Sequence, residues 1–256
     1  MSGNSVGPIR RFARRVIPVT TRASLRRLSG VTSDAGARGR RRGDLRPGSP
    51  GGLRKVQLGC GPTNLLDDWW NVDIRAFRGI DEVVDATLRW PWSNLQYVYG
   101  EHFLEHLPLD GAIRFTREAA RAIERGGILR LSTPSLEQVW VTHFRAGSAV
   151  PPENVVADTY RANRAFHGWG HKFLYSRPML DRLLTAAGFR NLTYWDYGVS
   201  DVADLAGLER HPGWTLVDGW PSVWIVEATA SGEVPDMAEL VAESEAEFVR
   251  YVRSGH

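Results

Sequence analysis

Beyond residue 54, short apolar stretches alternate along the chain with longer amphipathic ones. The segments "KVQLG" (55–59), "WWNVDI" (69–74), "EVVDA" (82–86) and "QYVYG" (96–100) are brief and rich in β-branched and aromatic residues. Polar or glycine-containing segments flank them, which predicts four strands. The period then changes. In "LPLDGAIRFTREAARAIE" (107–124), Ile113, Ala120 and Ile123 fall towards one face, and Asp110 suits a cap or a first turn. "ERGG" is expected to end that helix, and "GILRLSTP" (127–134) to form the next strand. Residues 135–170 read as an irregular helical insertion. A further helix is expected over 176–189, with Ser176 as cap, Pro178 in the first turn and Gly188 as the stop. "NLTYWDYG" (191–198) and "SVWIVEATA" (222–230) read as closing strands, and "DMAELVAESEAEFVRYVR" as a terminal helix. Strand–helix alternation of this kind implies an α/β parallel sheet covered on both faces. Ligands of such sheets bind at the carboxyl ends of the strands, near the point where strand order reverses.

Charge divides the chain into two parts. The net charge of +3 combines a first segment, residues 1–55, with fourteen bases and two acids and a remainder of net −9. Residues 29–54 are mostly Gly, Ser, Pro and Arg, with almost nothing to bury, so residues 1–54 are expected to be a basic and largely disordered tail and linker. The domain proper is expected over 55–256. Within the tail, Ile9, Phe12 and Val16 would share a face of a short helix ringed by arginines and limited by Pro18. That pattern suits an anionic membrane surface, nucleic acid or an acidic partner, or a solvated tail with no partner. The single cysteine, Cys60, excludes an intrachain disulfide and fits a reducing compartment. No apolar run reaches the roughly 18 residues of a membrane span, and Arg22, Arg26 and Arg27 interrupt any signal-peptide core, so a cytoplasmic protein is expected.

Candidate chemistry collects at the predicted strand ends. Gly59 and Gly61 follow the first strand, where glycine lets the backbone turn tightly and approach a ligand. A dinucleotide fingerprint would require a third glycine at position 64, which is Asn64, and an acid about 20 residues on. Here Asp73 ends the second strand only 12 residues after Gly61, and Pro62 removes one N–H from the turn. These departures argue against a pyrophosphate and are compatible with a nucleoside lacking phosphates, whose ribose hydroxyls still require an acid. Asp85 ends the third strand in the same way, so two carboxylates could line one nucleoside; each also suits a cap or a turn. The fourth strand then runs into "GEHFLEH" (100–106).

This order of motifs resembles the class I S-adenosylmethionine-dependent methyltransferases, in particular the type 11 group. The resemblance covers about residues 54–190. It is carried by "LGCGP", "NVDI", "VVDA", "LEHL", "GGILRLSTPSLE" and "YSRPMLDRLLTAAGF". It implies a doubly wound Rossmann-like sheet, mostly parallel with an antiparallel C-terminal strand, and S-adenosyl-L-methionine as cofactor. It also implies a turn of Gly59, Cys60 and Gly61 facing the methionine part, Asp73 at the ribose, Asp85 with Ala86 at the adenine, and Ile74 among the cofactor contacts. Glu101 and His102 would lie nearest the sulfonium. Two features depart from the pattern: Thr63 replaces the usual third glycine, and the first crossover is too short for a normal helix. The insertion is then expected to cover one edge of the cofactor.

Methyl transfer from a sulfonium is an in-line displacement in which the enzyme chiefly supplies proximity. A hydroxyl acceptor also requires a base, for which histidine is the usual choice. His102 is the first candidate, and His106 and His171 follow. His106 and its neighbouring glutamate also suit structural closure of a turn. "HGWGH" (167–171) brings two histidines together, but no third ligand stands at a recognisable spacing, so no metal is expected. Trp90, Trp92, Trp169, Trp214 and Trp220 sit in predicted loops, where they suit either packing or stacking on an acceptor. The stretch 210–222 reads as a long loop over the site.

The Asn- or Asp-Pro-Pro-aromatic motif common in methyltransferases of planar amino groups is replaced by "YGEH" after the fourth strand. The expected activity is therefore O-methylation of a small-molecule or glycan-like acceptor. An RNA methyltransferase using the basic tail and a non-catalytic cofactor-binding protein are the alternatives. The acceptor's identity and the oligomeric state are not encoded in any motif. A chain beginning at residue 52 should remain soluble and bind S-adenosylmethionine as the full chain does. An insoluble or cofactor-blind product would show that the tail packs on the body.

Overall fold

The structure is a computed structural model that describes residues 52–145, 149–212, 215–217 and 219–254. Residues 1–51, where the short amphipathic helix is expected, and Trp214 lie outside the described residues; the last residues assigned to the tail belong to the body, since Leu53 is buried in the core and the Arg54 carbonyl accepts the Gln96 and Tyr97 N–H groups. The first four strands are β1 (Lys55–Leu58), β2 (Trp70–Asp73), β3 (Glu82–Val83) and β4 (Leu95–Glu101). After α1 (Leu109–Ala122) come β5 (Ile123–Pro134), α2 (Leu136–His143), α3 (Pro152–His167) and α4 (Arg177–Ala186). The chain closes with β6 (Phe189–Tyr194), a small hairpin of β7 (Thr215–Val217) and β8 (Trp220–Pro221), and β9 (Val223–Ala230). A last helical run begins with α5 (Ala238–Ser244), widens into a π turn at Glu245–Val249 and ends as α6 (Arg250–Ser254).

Seven strands form one sheet in the order β3-β2-β1-β4-β5-β9-β6. The pairs from β3 through β5 are parallel, whereas β9 runs antiparallel to both β5 and β6. This is the mostly parallel sheet with an antiparallel C-terminal strand that the sequence resemblance implies. Strand order reverses between β1 and β4, so the loops after these two strands open the crevice in which a ligand can lie.

Local sequence accounts for most element ends. The Ser176 side chain accepts the Met179 N–H at the start of α4, and Pro178 lies in its first turn. Asp110 occupies the first turn of α1 without capping it, where its charge complements the helix dipole. α1 stops earlier than its periodicity suggests. Ile123 is already extended and pairs with Leu95, so "ERGG" is an irregularity inside β5 rather than a helix stop. Gly127 is required there: a Cβ would lie 2.7 Å from the Gln96 carbonyl oxygen. Only Glu82 and Val83 of the expected third strand pair in the ladder, because Asp85 turns the chain by accepting from the Thr87 N–H (2.9 Å) and hydroxyl (2.7 Å).

The two faces of the sheet are built differently. One buries Val56, Leu58, Val72, Val98, Leu129, Leu131 and Val226, and the helices α1, α4 and α5 pack over it. Each such side chain contributes roughly 1.5–3 kcal/mol by leaving water. Trp90 and Trp92 belong to this core as well, their indole N–H groups donating to the Ala86 carbonyl and to Glu82. The other face is covered by loops. Trp69 and Leu66, from the β1–β2 connection, join Val202, Leu205 and Leu208 over Tyr97, Tyr99 and Ile128. No helix forms between β1 and β2, and the segment after β6 takes its place.

A buried ion triad fixes that segment. Arg130 on β5 is fully buried and donates two hydrogen bonds to Glu209, at 2.7 and 2.9 Å, one to Glu227 on β9 and one to the Val199 carbonyl at 3.1 Å. The two carboxylates outweigh the cost of burial and hold the guanidinium pKa above its usual value. Glu209 also accepts the Gly198 N–H, and Glu227 the Trp195 indole N–H. Every member is hydrogen-bonded, so removing the cation leaves two uncompensated buried carboxylates. Arg130→Met should therefore lower unfolding stability by about 3–5 kcal/mol, read from urea denaturation. A loss below about 1 kcal/mol, the level of a surface ion pair, would show that the triad does not hold the loop face.

Candidate functional site

The turn after β1 and the ends of β2, β3 and β4 enclose a cavity of about 430 Å³. Gly59 (φ 65°) and Gly61 (φ 59°) both adopt the left-handed conformation that glycine reaches without a steric penalty. A Cβ on Gly59 would come within 2.6 Å of the Phe103 ring. A Cβ on Gly61 would meet no protein atom within 4 Å, and this residue lines the cavity. The turn is therefore held open toward a ligand on one side and closed by an aromatic ring on the other.

Asp73 is buried at the end of β2. Its carboxylate accepts the Gly61 N–H at 3.0 Å and the Arg75 N–H at 2.9 Å, so it ties the glycine turn to its own strand end. Lone pairs remain for a ligand hydroxyl, since a carboxylate has about four acceptor sites. Asp73, Ile74, Asp85 and Ala86 all line the cavity with Gly59 and Gly61. Cys60 is buried and is not among the lining residues. Burial, and next the Asp73 charge, push its thiol pKa up to about 11, so the sulfur stays neutral.

Glu101 lies outside this lining as well. It is buried and accepts from Asn64 Nδ2 (2.9 Å), the Arg210 N–H (2.7 Å) and the His211 N–H (2.9 Å), with His211 Nδ1 at 3.1 Å. Arg210 reaches on to the Thr63 and Leu65 carbonyls. The position of Glu101 is that of a clasp between the short β1–β2 connection and the loop that follows β6.

His102 follows β4 with φ 45°, a conformation that costs a non-glycine residue roughly 1–3 kcal/mol. Its N–H donates to the Ser132 carbonyl, and its Nδ1 lies 3.0 Å from Glu105 Oε1. Glu105 is fully buried and takes a second bond from the Thr133 hydroxyl at 3.1 Å. With Nδ1–H donated to this carboxylate, Nε2 carries the lone pair. That nitrogen is buried and has no hydrogen-bond partner. Burial pulls the His102 pKa down, but the hydrogen bond and charge of Glu105, with Glu101 behind it, prevail and raise it.

A second cavity, of about 520 Å³, adjoins the first and shares His102, His106 and Trp169 with it. Its walls add Glu105, Gln138, His143, His171 and His211. His106 and His171 meet edge to face with ring centroids 5.2 Å apart, and His102 and His211 at 4.9 Å. The segment after α3 is drawn to this point by its backbone, since the Lys172 and Phe173 N–H groups both donate to the Glu105 carbonyl. Trp169 carries the insertion to the edge of the first cavity. Its exposure of 72% contrasts with the buried Trp90 and Trp92, and Trp220 is also exposed.

The fold thus unites His102, His106 and His171, taken from two distant segments, around one pair of cavities. Sequence reasoning missed His143 and His211, and it gave Glu105 only a turn-closing part beside His106. Glu105 lies within the quoted "GEHFLEH", yet only its burial against His102 separates it from a surface glutamate. His211 stands in the long loop over the site with no spacing signal at all.

No family model matches the chain, and no curated protein matches it. Solved structures similar to it include the CurJ carbon methyltransferase, 12% identical over 70% of this chain and 49% of that one, at a TM-score of 0.41. Others are an S-adenosylmethionine-dependent methyltransferase from Archaeoglobus fulgidus (16% identity, 70% and 86% coverage, TM-score 0.43) and a methyltransferase from Thermotoga maritima described as a possible histamine N-methyltransferase (13%, 69% and 81%, 0.42). The chain spans about half the length of the carbon methyltransferases it matches.

Proposed function

We propose that this chain is a class I S-adenosylmethionine-dependent methyltransferase that methylates an oxygen of a small-molecule or glycan-like acceptor. The carrying observation is the pair of adjoining cavities. The first presents an open glycine turn and two strand-end carboxylates, and the second joins it at a wall of histidines. The first has the volume of a small-ligand site. Its donor set suits a nucleoside, with carboxylates for hydroxyl and amino groups, and the one arginine in the lining, Arg75, lies 3.8 Å from the Asp73 carboxylate.

Gly59 and Gly61 would bind the amino-acid end, Asp73 the ribose hydroxyls, and Asp85, Ile74 and Ala86 the base. When bound, the cofactor supplies an electrophilic methyl group on a sulfonium sulfur. The chain's part is to hold the acceptor oxygen in line and to take its proton. His102 stands at the shared wall with a buried, unpartnered Nε2, and Glu105 fixes its ring. His106 and His171 line the acceptor side. As the acceptor oxygen took up the methyl group, with the bonding pair left on the departing sulfur, His102 Nε2 would receive the hydroxyl proton. Orientation supplies the larger share of acceleration, and general base catalysis roughly 10²–10⁴-fold.

Among the described residues no helix is long and apolar enough to cross a membrane. The single cysteine fits a reducing compartment, and the basic tail suits contact with an anionic surface.

Three experiments test the proposal. Asp73→Ala should weaken cofactor binding in calorimetry by about 1–3 kcal/mol, the range for hydrogen bonds to a charged acceptor. Unchanged affinity in the folded variant would remove Asp73 from the site. The acceptor can be found by incubating the enzyme with labelled cofactor and a cell extract, then following the label. With that acceptor, His102→Ala should lower kcat by about 10²–10⁴-fold while cofactor affinity stays nearly intact. Equal losses of stability and affinity, with kcat retained, would make His102 a packing residue.

A further inference from the structure

We infer that Glu105, His106 and His171 form a binding site for one divalent first-row transition-metal ion in the wall of the second cavity. One ligating atom of each residue lies within 4.8 Å of those of the other two. Tetrahedral ligands about 2.0–2.2 Å from an ion stand roughly 3.3–3.6 Å apart, so small rotations of the two rings close the set. Two imidazoles and one carboxylate are a donor set for zinc, iron or manganese, and three protein ligands leave positions open toward the cavity.

Two independent features support an ion here rather than a chance cluster. The first is the charge of Glu105. It is fully buried, yet it lines the second cavity together with His106 and His171. A buried carboxylate is costly unless a cation compensates it. Its hydrogen bonds from His102 and Thr133 use two acceptor sites and leave others for an ion. The second is the orientation of His171. Its Nδ1 lies 2.8 Å from the Ala165 carbonyl oxygen, so Nδ1 is the protonated nitrogen and Nε2 keeps its lone pair. Metal-binding histidines are typically anchored in this way through the other nitrogen.

The sequence concealed the site because Glu105 and His106 precede His171 by some 65 positions, a spacing that no motif describes. The backbone bonds from Lys172 and Phe173 to the Glu105 carbonyl bring the two segments together. On the methyltransferase reading, which this role alone requires, the ion would hold the acceptor oxygen beside His102 and favour its deprotonation. The metal site itself stands without that reading.

The test uses the full chain, stripped with chelator and titrated with Zn²⁺ by calorimetry, and with Co²⁺ by visible absorption. The wild type should bind one equivalent of Zn²⁺, and its Co²⁺ form should show d–d bands of low-coordinate geometry. His171→Ala and His106→Ala should each weaken binding at least about tenfold, whereas His167→Ala, in the same "HGWGH" segment but exposed, should bind as the wild type does. If one of the two ligand variants fails to fold, the other together with the wild-type Co²⁺ spectrum decides. No saturable equivalent in the wild type, or loss of binding in His167→Ala alone, would overturn the site. Cofactor affinity measured on the stripped protein separates the two readings: a metal without cofactor binding would overturn the methyltransferase and keep the ion.

Discussion

The loop face of this protein depends on Arg130. A parallel sheet buries both faces, and a helix after the first strand ordinarily covers part of the second. Here the β1–β2 connection has room only for turns, so another part of the chain covers that face. The segment after β6 does so with few apolar residues, chiefly Val202, Leu205 and Leu208. The guanidinium of Arg130, bonded to Glu209, Glu227 and the Val199 carbonyl, fixes the segment in one place. An apolar cover could slide. A forked guanidinium that satisfies two carboxylates and a carbonyl sets a single register.

That register has consequences at the site. Glu209 is followed directly by Arg210 and His211, whose N–H groups both reach Glu101 at the end of β4. Arg210 extends to the carbonyls of the glycine-turn loop, and Asn64 meets the other oxygen of Glu101. The short connection that lacks a helix is thereby held by the same loop that replaces the helix. His211 is also placed in the wall of the second cavity. Coverage of the sheet, rigidity of the turn and closure of the acceptor side thus rest on one segment.

The turn 102–106 is the other fixed element. Its backbone is bonded to Ser132 of β5 and to the segment after α3, and its Glu105 side chain to Thr133. This bracing accounts for the left-handed φ of His102, which a free loop would relax. His102 lines both cavities, where a group serving both ligands must stand. Strained backbone held by its surroundings is common at sites of this kind.

Much of this was legible in the sequence. Alternation of short strands with amphipathic helices, cap residues such as Ser176, and glycines and acids at strand ends are local features, and they determined the sheet, its order of elements and the lining of the first cavity. Gly59, Gly61, Asp73 and Asp85 follow from that logic because each is placed by its own strand. The tertiary structure decided what depends on distant segments meeting. Cys60 and Glu101 sit beside the right turns, yet their side chains point into packing and into a clasp, which depends on loops more than 100 residues away in the case of Glu101. The pairing of Arg130 with Glu209, the approach of His171 to Glu105 and the entry of His211 into the cavity wall carry no periodicity and no spacing. They arise from backbone hydrogen bonds and buried charges that exist only once the chain has folded.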